Sequence, residues 1–155
     1  MTPLEIFVTS MAYIMAGDGD VSAEEKAKLL GAVNKHVRKK EIMPNHLKQI
    51  VQVAFKTAKN VDLEQFLAVS VEKLTIGQRH AIFANLYDMT LADGDVVSGE
   101  RAILDRFRGI FDIDLSVARA LEEVVMLKND TQIFTNERHP ANEPNFKLKV
   151  VFERD

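Results

Sequence analysis

The chain has 155 residues, 46% of them hydrophobic, with a net charge of −3 and no cysteine. That size and apolar share suit one domain with a real core, and the lack of cysteine excludes disulfide scaffolds, thiolate metal sites, iron–sulfur clusters and cysteine nucleophiles. The mild acidity argues against nucleic acid as a partner, because phosphate binding needs clustered Lys and Arg, and no apolar run nears the roughly 20 residues that cross a bilayer.

The opening MTPLEIFVTS lacks a basic stretch ahead of an apolar one, so a cytoplasmic location is expected. Leu4, Phe7, Val8, Met11, Ile14 and Met15 fall at steps of three and four and predict one face of a first helix. It should stop at Gly17–Gly19, where glycine takes left-handed conformations cheaply. Ser22 followed by Glu25 reads as the capping box of a second helix, with Leu29, Leu30, Val33 and Val37 facing inward. Its basic end, HVRKK at 36–40, opposes the negative end of the helix dipole; a weak contact with anionic lipid is the alternative use of that cluster. Pro44 suits the first turn of a third helix, whose packed side holds Leu47, Ile50, Val51, Ala54 and Phe55. Asp62 and Gln65 predict the cap of a fourth helix carrying Phe66, Leu67, Val69 and Leu74. Thr75 with Gln78 caps a fifth, with Ile82, Phe83, Leu86 and Met89 packed inside. A sixth holds Ile103, Leu104, Phe107 and Ile110, and Asp114 caps a seventh with Val117, Leu121, Val124, Val125 and Leu127 as its stripe. The expected class is all-α, a compact bundle of about seven helices over residues 1–128.

Residues 129–155 differ in character. The stretch from Asn129 to Glu143 is polar and turn-rich, and in the following NFKLKVVFERD Phe146, Leu148 and Val150 alternate with Lys147 and Lys149, a strand pattern. One strand is not stable alone. The extended tail therefore pairs with a second chain, as in a homodimer, lies across the bundle, or stays disordered.

Two segments repeat. MAGDGDVSAEE (15–25) and LADGDVVSGE (91–100) align so that Asp18, Asp20 and Glu25 match Asp93, Asp95 and Glu100. In each, the helix before the turn has unpaired carbonyls and the helix after it has unpaired N–H groups. Carboxylates and free backbone oxygens gathered in one place are hard-cation chemistry, of the kind calcium and magnesium use. The turns are not EF-hands: counted from Asp18, position 5 is Ser22, position 6 is Ala23 and position 12 is Leu29, and none of these fits that loop. Each turn is too short to wrap an ion alone, but a pseudo-twofold would let the two supply ligands jointly. The competing reading is helix punctuation, because Asp and Gly are common in turns and an acidic first turn stabilises a helix by roughly 0.3–1 kcal/mol per group. Duplication weighs against punctuation, since a cap requires no fixed Asp-Gly-Asp-Val, and Val97 replaces the capping Ser22 in the second copy while Glu100 is kept. Carboxylates 4 Å apart repel by about 4 kcal/mol at an effective dielectric of 20. Six converging ones would therefore strain the site until a cation relieved it, and turns lying far apart would not.

MAGDGDVSAEEKAKLL and LADGDVVSGERAIL, set in an all-helical duplicated unit, resemble the TerB tellurite-resistance family over roughly residues 5–128. The motif is also similar to the TerB-like domain of membrane-anchored J-domain co-chaperones. The resemblance implies a seven-helix bundle with an acidic, metal-binding face, a role in tellurite and chemical stress response, and membrane-associated protein partners, which would place the chain at the inner membrane face. Carried onto this sequence, the ligands are Asp18, Asp20 and Glu25 with Asp93, Asp95 and Glu100. The cation is divalent, calcium or magnesium being favoured and zinc or manganese staying open. NFKLKVVFERD matches nothing in the family.

Other chemistry is weakly signalled. His36, His46, His80 and His139 show no metal spacing, and there is no Gly-rich phosphate loop or Gly-x-Ser-x-Gly elbow. The methionines at 11 and 15 stand at core spacing and read as packing. No enzyme is expected, since one would need a deep pocket beside perturbed carboxylates. Two functions remain. One is a non-enzymatic metal-binding stress-response module acting through partner proteins. The other is a metal-independent interaction scaffold that docks a partner with its acidic face and C-terminal strand.

Overall fold

The computed structural model describes residues 1–17, 23–91 and 98–149, apart from the side chains of Glu24 and Ser98. Among these residues the chain forms seven α-helices: α1 (Pro3–Ala16), α2 (Ala23–Arg38), α3 (Pro44–Asn60), α4 (Leu63–Ser70), α5 (Ile76–Thr90), α6 (Ser98–Ile110) and α7 (Leu115–Asn129). Short 3₁₀ turns follow α4 at Val71–Lys73 and α7 at Thr131–Phe134 and Pro140–Asn142. The all-α expectation holds.

Local sequence explains most of the boundaries. Thr75 Oγ1 accepts the Gln78 N–H at 3.1 Å while Gln78 Oε1 accepts the Thr75 N–H at 2.9 Å, closing the capping box expected for α5. A second box opens α1, with Thr2 and Glu5 as its partners and Pro3 in the first turn. That one was equally legible as Thr-Pro-Leu-Glu and was missed. Asp62 and Asp114 stand at the N-caps of α4 and α7, but neither side chain makes a capping hydrogen bond. The expected caps are thus right in position and wrong in mechanism. The ends of α2 and α6 are closed by left-handed residues that are not glycine. Lys40 has φ 60° and Asp112 has φ 53°. Beyond them the N–H groups of Glu41 and Ile113 reach back to the carbonyls of His36 (2.9 Å) and Arg108 (3.1 Å).

The core is built around α1 and α5. From Val8 to Met15 every residue of α1 is buried, so this helix has no water-facing side over two turns. Its polar members are satisfied internally: Ser10 Oγ donates to the Ile6 carbonyl at 2.7 Å and Thr9 Oγ1 to the Glu5 carbonyl at 2.7 Å. Phe83, Leu86, Tyr87 and Met89 of α5, with Leu104 and Phe107 of α6, complete the same cluster. Each such side chain taken from water stabilises by about 1.5–3 kcal/mol. Some expected core positions face solvent instead. Leu30, Val69 and Val124 are exposed, because α2, α4 and α7, unlike the enclosed α1, turn one face to water.

The packing pattern is close to symmetric. Exchanging α1, α2 and α3 for α5, α6 and α7 maps α1·α3 onto α5·α7, α1·α2 onto α5·α6, and α1·α6 onto α5·α2, with α1·α5 as the shared pair. The duplicated sequence therefore folds as a duplicated structure, with α4 inserted between the halves. α6 also packs on α4.

After α7 the tail folds on itself. Asn142 Nδ2 donates to the carbonyls of Ile133 (2.8 Å) and Asn136 (2.9 Å), and the Lys149 N–H donates to Glu123 Oε2 of α7 at 2.9 Å. No strand forms among the described residues 145–149, and residues 150–155 lie outside the described part. Of the three fates open to the tail, the described portion lies against the bundle.

α1 stops at Gly17 as expected; Gly19 lies outside the described residues, and Gly17 itself is right-handed, with φ −66°. It is there for space: a Cβ would fall 2.2 Å from Cδ1 of Ile103. Gly31, inside α2, faces open space. Gly17→Val is expected to cost about 1–3 kcal/mol through overpacking. Gly31→Ala is expected to gain about 0.5–1 kcal/mol from helix propensity. Urea denaturation of the two variants against the parent measures both.

Candidate functional site

The helices that lead into and out of the two acidic turns meet. A Cβ on Gly99, in the first turn of α6, would lie 3.6 Å from the carbonyl oxygen of Gly17, the last described residue of the first turn's approach. The exit of α1 and the start of α6 are therefore close together. The small residues before and after Asp-Gly-Asp permit that approach.

Of the six expected ligands, Asp18, Asp20, Asp93 and Asp95 lie outside the described residues. Glu25 and Glu100 are described, and they behave alike. Each sits in the first turn of its helix, α2 or α6, and each is almost completely buried, at 3% and 2% exposure. A carboxylate that only complements a helix dipole has no reason to leave water, because burial of a charge costs several kcal/mol unless it is compensated. Among the described residues no group of three His, Asp or Glu side chains is placed to hold a metal. The donor chemistry fits a hard cation: two inward-facing carboxylates at matched positions, four aspartates in the adjoining turns, and no sulfur.

Beyond the turns lie charged residues that the sequence did not single out. Asp88 of α5 receives Lys28 Nζ of α2 at 3.2 Å, Lys128 Nζ of α7 at 2.8 Å and Asn129 Nδ2 at 3.1 Å. Burial alone would raise the Asp88 pKa, but the hydrogen bonds from Lys128, Asn129 and Lys28 outweigh it and hold the carboxyl below its ordinary value. A second tie joins Arg101 of α6 to Glu122 of α7, and that hydrogen bond raises the Arg101 pKa above its usual value. A lone aspartate in the otherwise uncharged second half of α5 was the available signal for the first network. For the second there was none, since Arg101 and Glu122 are remote in sequence.

The tail holds a histidine–aspartate pair. His139 Nε2 lies 2.6 Å from Asp130 Oδ2, and His139 Nδ1 accepts the Ala141 N–H at 3.0 Å. Nδ1 is thus the acceptor and Nε2 carries the proton. With both ring nitrogens engaged the imidazole has no lone pair to offer a substrate, so the pair fastens the tail instead of acting as a general base. The bond to His139, with a further one from the Gln132 N–H, lowers the Asp130 pKa. Beside it runs a groove of about 670 Å³ between α7 and the tail, walled by Leu91, Met126, Leu127 and Phe146. Leu91 is the last described residue before the second acidic turn.

The pH dependence of the Asp88 network has a definite sign. Its folded pKa is lowered, so its stabilisation is complete above the unfolded value of about 3.9 and is lost as pH falls through the folded value. Asp88→Asn is expected to lower stability at pH 7 by about 1–2 kcal/mol, and the gap to the parent should close below about pH 3.9. Thermal melts of the pair from pH 7 to pH 2.5 check both statements.

A family model described as tellurite resistance protein TerB matches residues 5–123. No curated protein gives a significant match to the chain, and no solved structure does. No helix among the described residues is long and apolar enough to cross a membrane.

Proposed function

The chain belongs to the TerB family, and on that premise we propose that it is a non-enzymatic tellurite- and stress-response module that binds a divalent cation between its two acidic turns and acts through partner proteins. The observation that carries this reading is the matched burial of Glu25 and Glu100 at the start of α2 and α6. Helix punctuation accounts for an exposed acid in a first turn and gives no reason for two to be inside the protein.

Asp18, Asp20 and Glu25 from one repeat, with Asp93, Asp95 and Glu100 from the other, would hold the ion. An all-oxygen set favours calcium or magnesium over zinc, with manganese between them. When bound, the cation supplies charge compensation and no chemistry of its own. The protein's part is to bring two halves of a ligand set together from two repeats, and the contact of Gly17 with Gly99 supports that role. Partners would be proteins, membrane-associated ones among them, met in the cytoplasm or at the inner membrane face. A second copy of the chain, joined through the tail, is a further candidate.

The test is a thermal melt after EDTA stripping, with calcium, magnesium, manganese or zinc added back, in the parent and in an Asp18→Asn, Asp93→Asn double variant. A ligand at 100 times its Kd stabilises by about 2.7 kcal/mol, which is a rise of about 5–10 °C for a chain of this size. The rise is expected in the parent and not in the variant. If no cation moves the parent's midpoint, the acidic face is a metal-independent docking surface and the scaffold reading replaces this one.

A further inference from the structure

Charge is unevenly divided along the chain. Residues 26–60, which take in most of α2 and all of α3, hold nine of its 20 Lys and Arg and one of its 23 Asp and Glu. That stretch has a net charge of +8 in a chain whose total is −3, so the rest carries −11. On α3, Lys48, Gln52, Lys56 and Lys59 follow at steps of four, four and three, which is one stripe of the helix, and all four are exposed. The opposite stripe, Leu47, Ile50 and Ala54, is buried, and α3 packs chiefly on α1. α2 ends in the same charge: Lys35 and Arg38 are exposed near its end, and Lys39 and Lys40 begin the five-residue turn, 39–43, that joins it to α3. The N–H groups of Lys39, Lys40 and Glu41 donate to the carbonyls of Lys35 (3.0 Å), Val37 (3.0 Å) and His36 (2.9 Å), so the turn is fixed. Met43 closes it as the N-cap of α3, and its side chain is 73% exposed. Among the described residues none of these cations is in an ion pair. The one acid inside the stretch, Glu41, lies 3.6 Å from His36. Glu5 flanks the turn across a groove, and Asp62 follows the end of α3.

We propose that this face, the lysine stripe of α3 with the 39–43 turn as its tip, docks on an anionic lipid surface. The kind of cation points there. Six of the seven are lysine, with Arg38 the exception. Lysine is a point charge on a flexible stem and needs no fixed partner geometry, which suits a fluid headgroup layer; arginine's planar fork suits a built phosphate or carboxylate site. Met43 offers one apolar side chain to the interface, and the lysine stems can lie along it with their ammonium groups at headgroup level. Nucleic acid fits less well. The one aromatic residue in the stretch, Phe55, is half-buried, which leaves no platform for stacked bases, and a single arginine is little for base readout. The chain's net negative charge does not prevent docking. At physiological ionic strength charges are screened beyond about 8 Å, so a lipid surface meets the local positive face and not the whole molecule. The reading is independent of any cation between the acidic turns.

Co-sedimentation with vesicles tests this, in EDTA so that the metal reading has no bearing on the result. The full-length protein is mixed with vesicles of phosphatidylcholine alone, or of phosphatidylcholine and phosphatidylglycerol in equal parts. The parent is expected to bind the second kind and not the first, and to be released at about 1 M salt, where the screening length is about 3 Å. A Lys39→Gln, Lys40→Asn, Lys48→Gln variant should bind roughly a hundredfold more weakly, each cation near such a surface being worth about fivefold; Asn is chosen at 40 because it tolerates the left-handed backbone. A charge-matched Lys73→Gln, Arg106→Gln, Arg138→Gln control, altered away from the face, should lose far less. Met43→Ser keeps every charge and places a favoured residue at the N-cap, and should bind several-fold more weakly. Melting temperatures show that each variant is folded. Absence of binding to the anionic vesicles overturns the proposal, as does an equal loss in the control or undiminished binding in either face variant. Binding of a DNA oligonucleotide without binding of vesicles assigns the face to nucleic acid instead. Self-association that the triple face variant abolishes, again without vesicle binding, assigns it to the acidic side of a second copy.

Discussion

Glu25 and Glu100 are carboxylates inside the protein, and burial of charge is the constraint to which the surrounding structure answers. An ion in a low-dielectric interior loses its hydration and must be met by opposite charge, hydrogen bonds or a metal. The two residues stand at matched places in the repeated sequence, so the same demand arises twice. The helices respond accordingly. α1 and α5, the pair at the centre of the bundle, end beside the turns, and α2 and α6 begin there. Glycine at position 17 lets α6 approach the end of α1 closely.

The same arrangement explains why charge elsewhere in the chain is organised and not scattered. Asp88 draws lysines from two different helices and an asparagine from α7. Such a node differs from a surface pair, because its carboxylate is partly buried and met by three donors from two helices. Arg101 with Glu122 makes the equivalent tie for the second repeat. α7 is therefore fastened by electrostatics at two points while its apolar stripe is only partly sunk, with Val125 and Ala118 as its fully buried members.

Membership of the TerB family fits this picture without dictating it. The family model ends at residue 123, and the His139–Asp130 pair and the folded tail lie beyond that limit. The tail's histidine is structurally committed through both nitrogens, and its strand-like alternation forms no strand among the described residues, because an isolated alternating segment has no ladder to join.

The sequence alone determined the helices, since apolar spacing, Thr–x–x–Gln and Pro44 are all local signals acting within a few residues of each other. It also determined that the structure is a duplication, because the repeat is written in the residues. It did not determine the left-handed ends at Lys40 and Asp112, where neither residue type announces that conformation. Nor did it separate buried from exposed members of adjacent apolar pairs such as Leu29 and Leu30, where rotation of the helix against its neighbours makes the choice. Above all, only the tertiary structure decided that Glu25 and Glu100 point inward and that Lys28 and Arg101 reach α7. Burial and long-range ion pairing depend on which helices pack together, and a charged residue in a sequence carries no mark of whether its neighbour in space will be water, a lysine or the core.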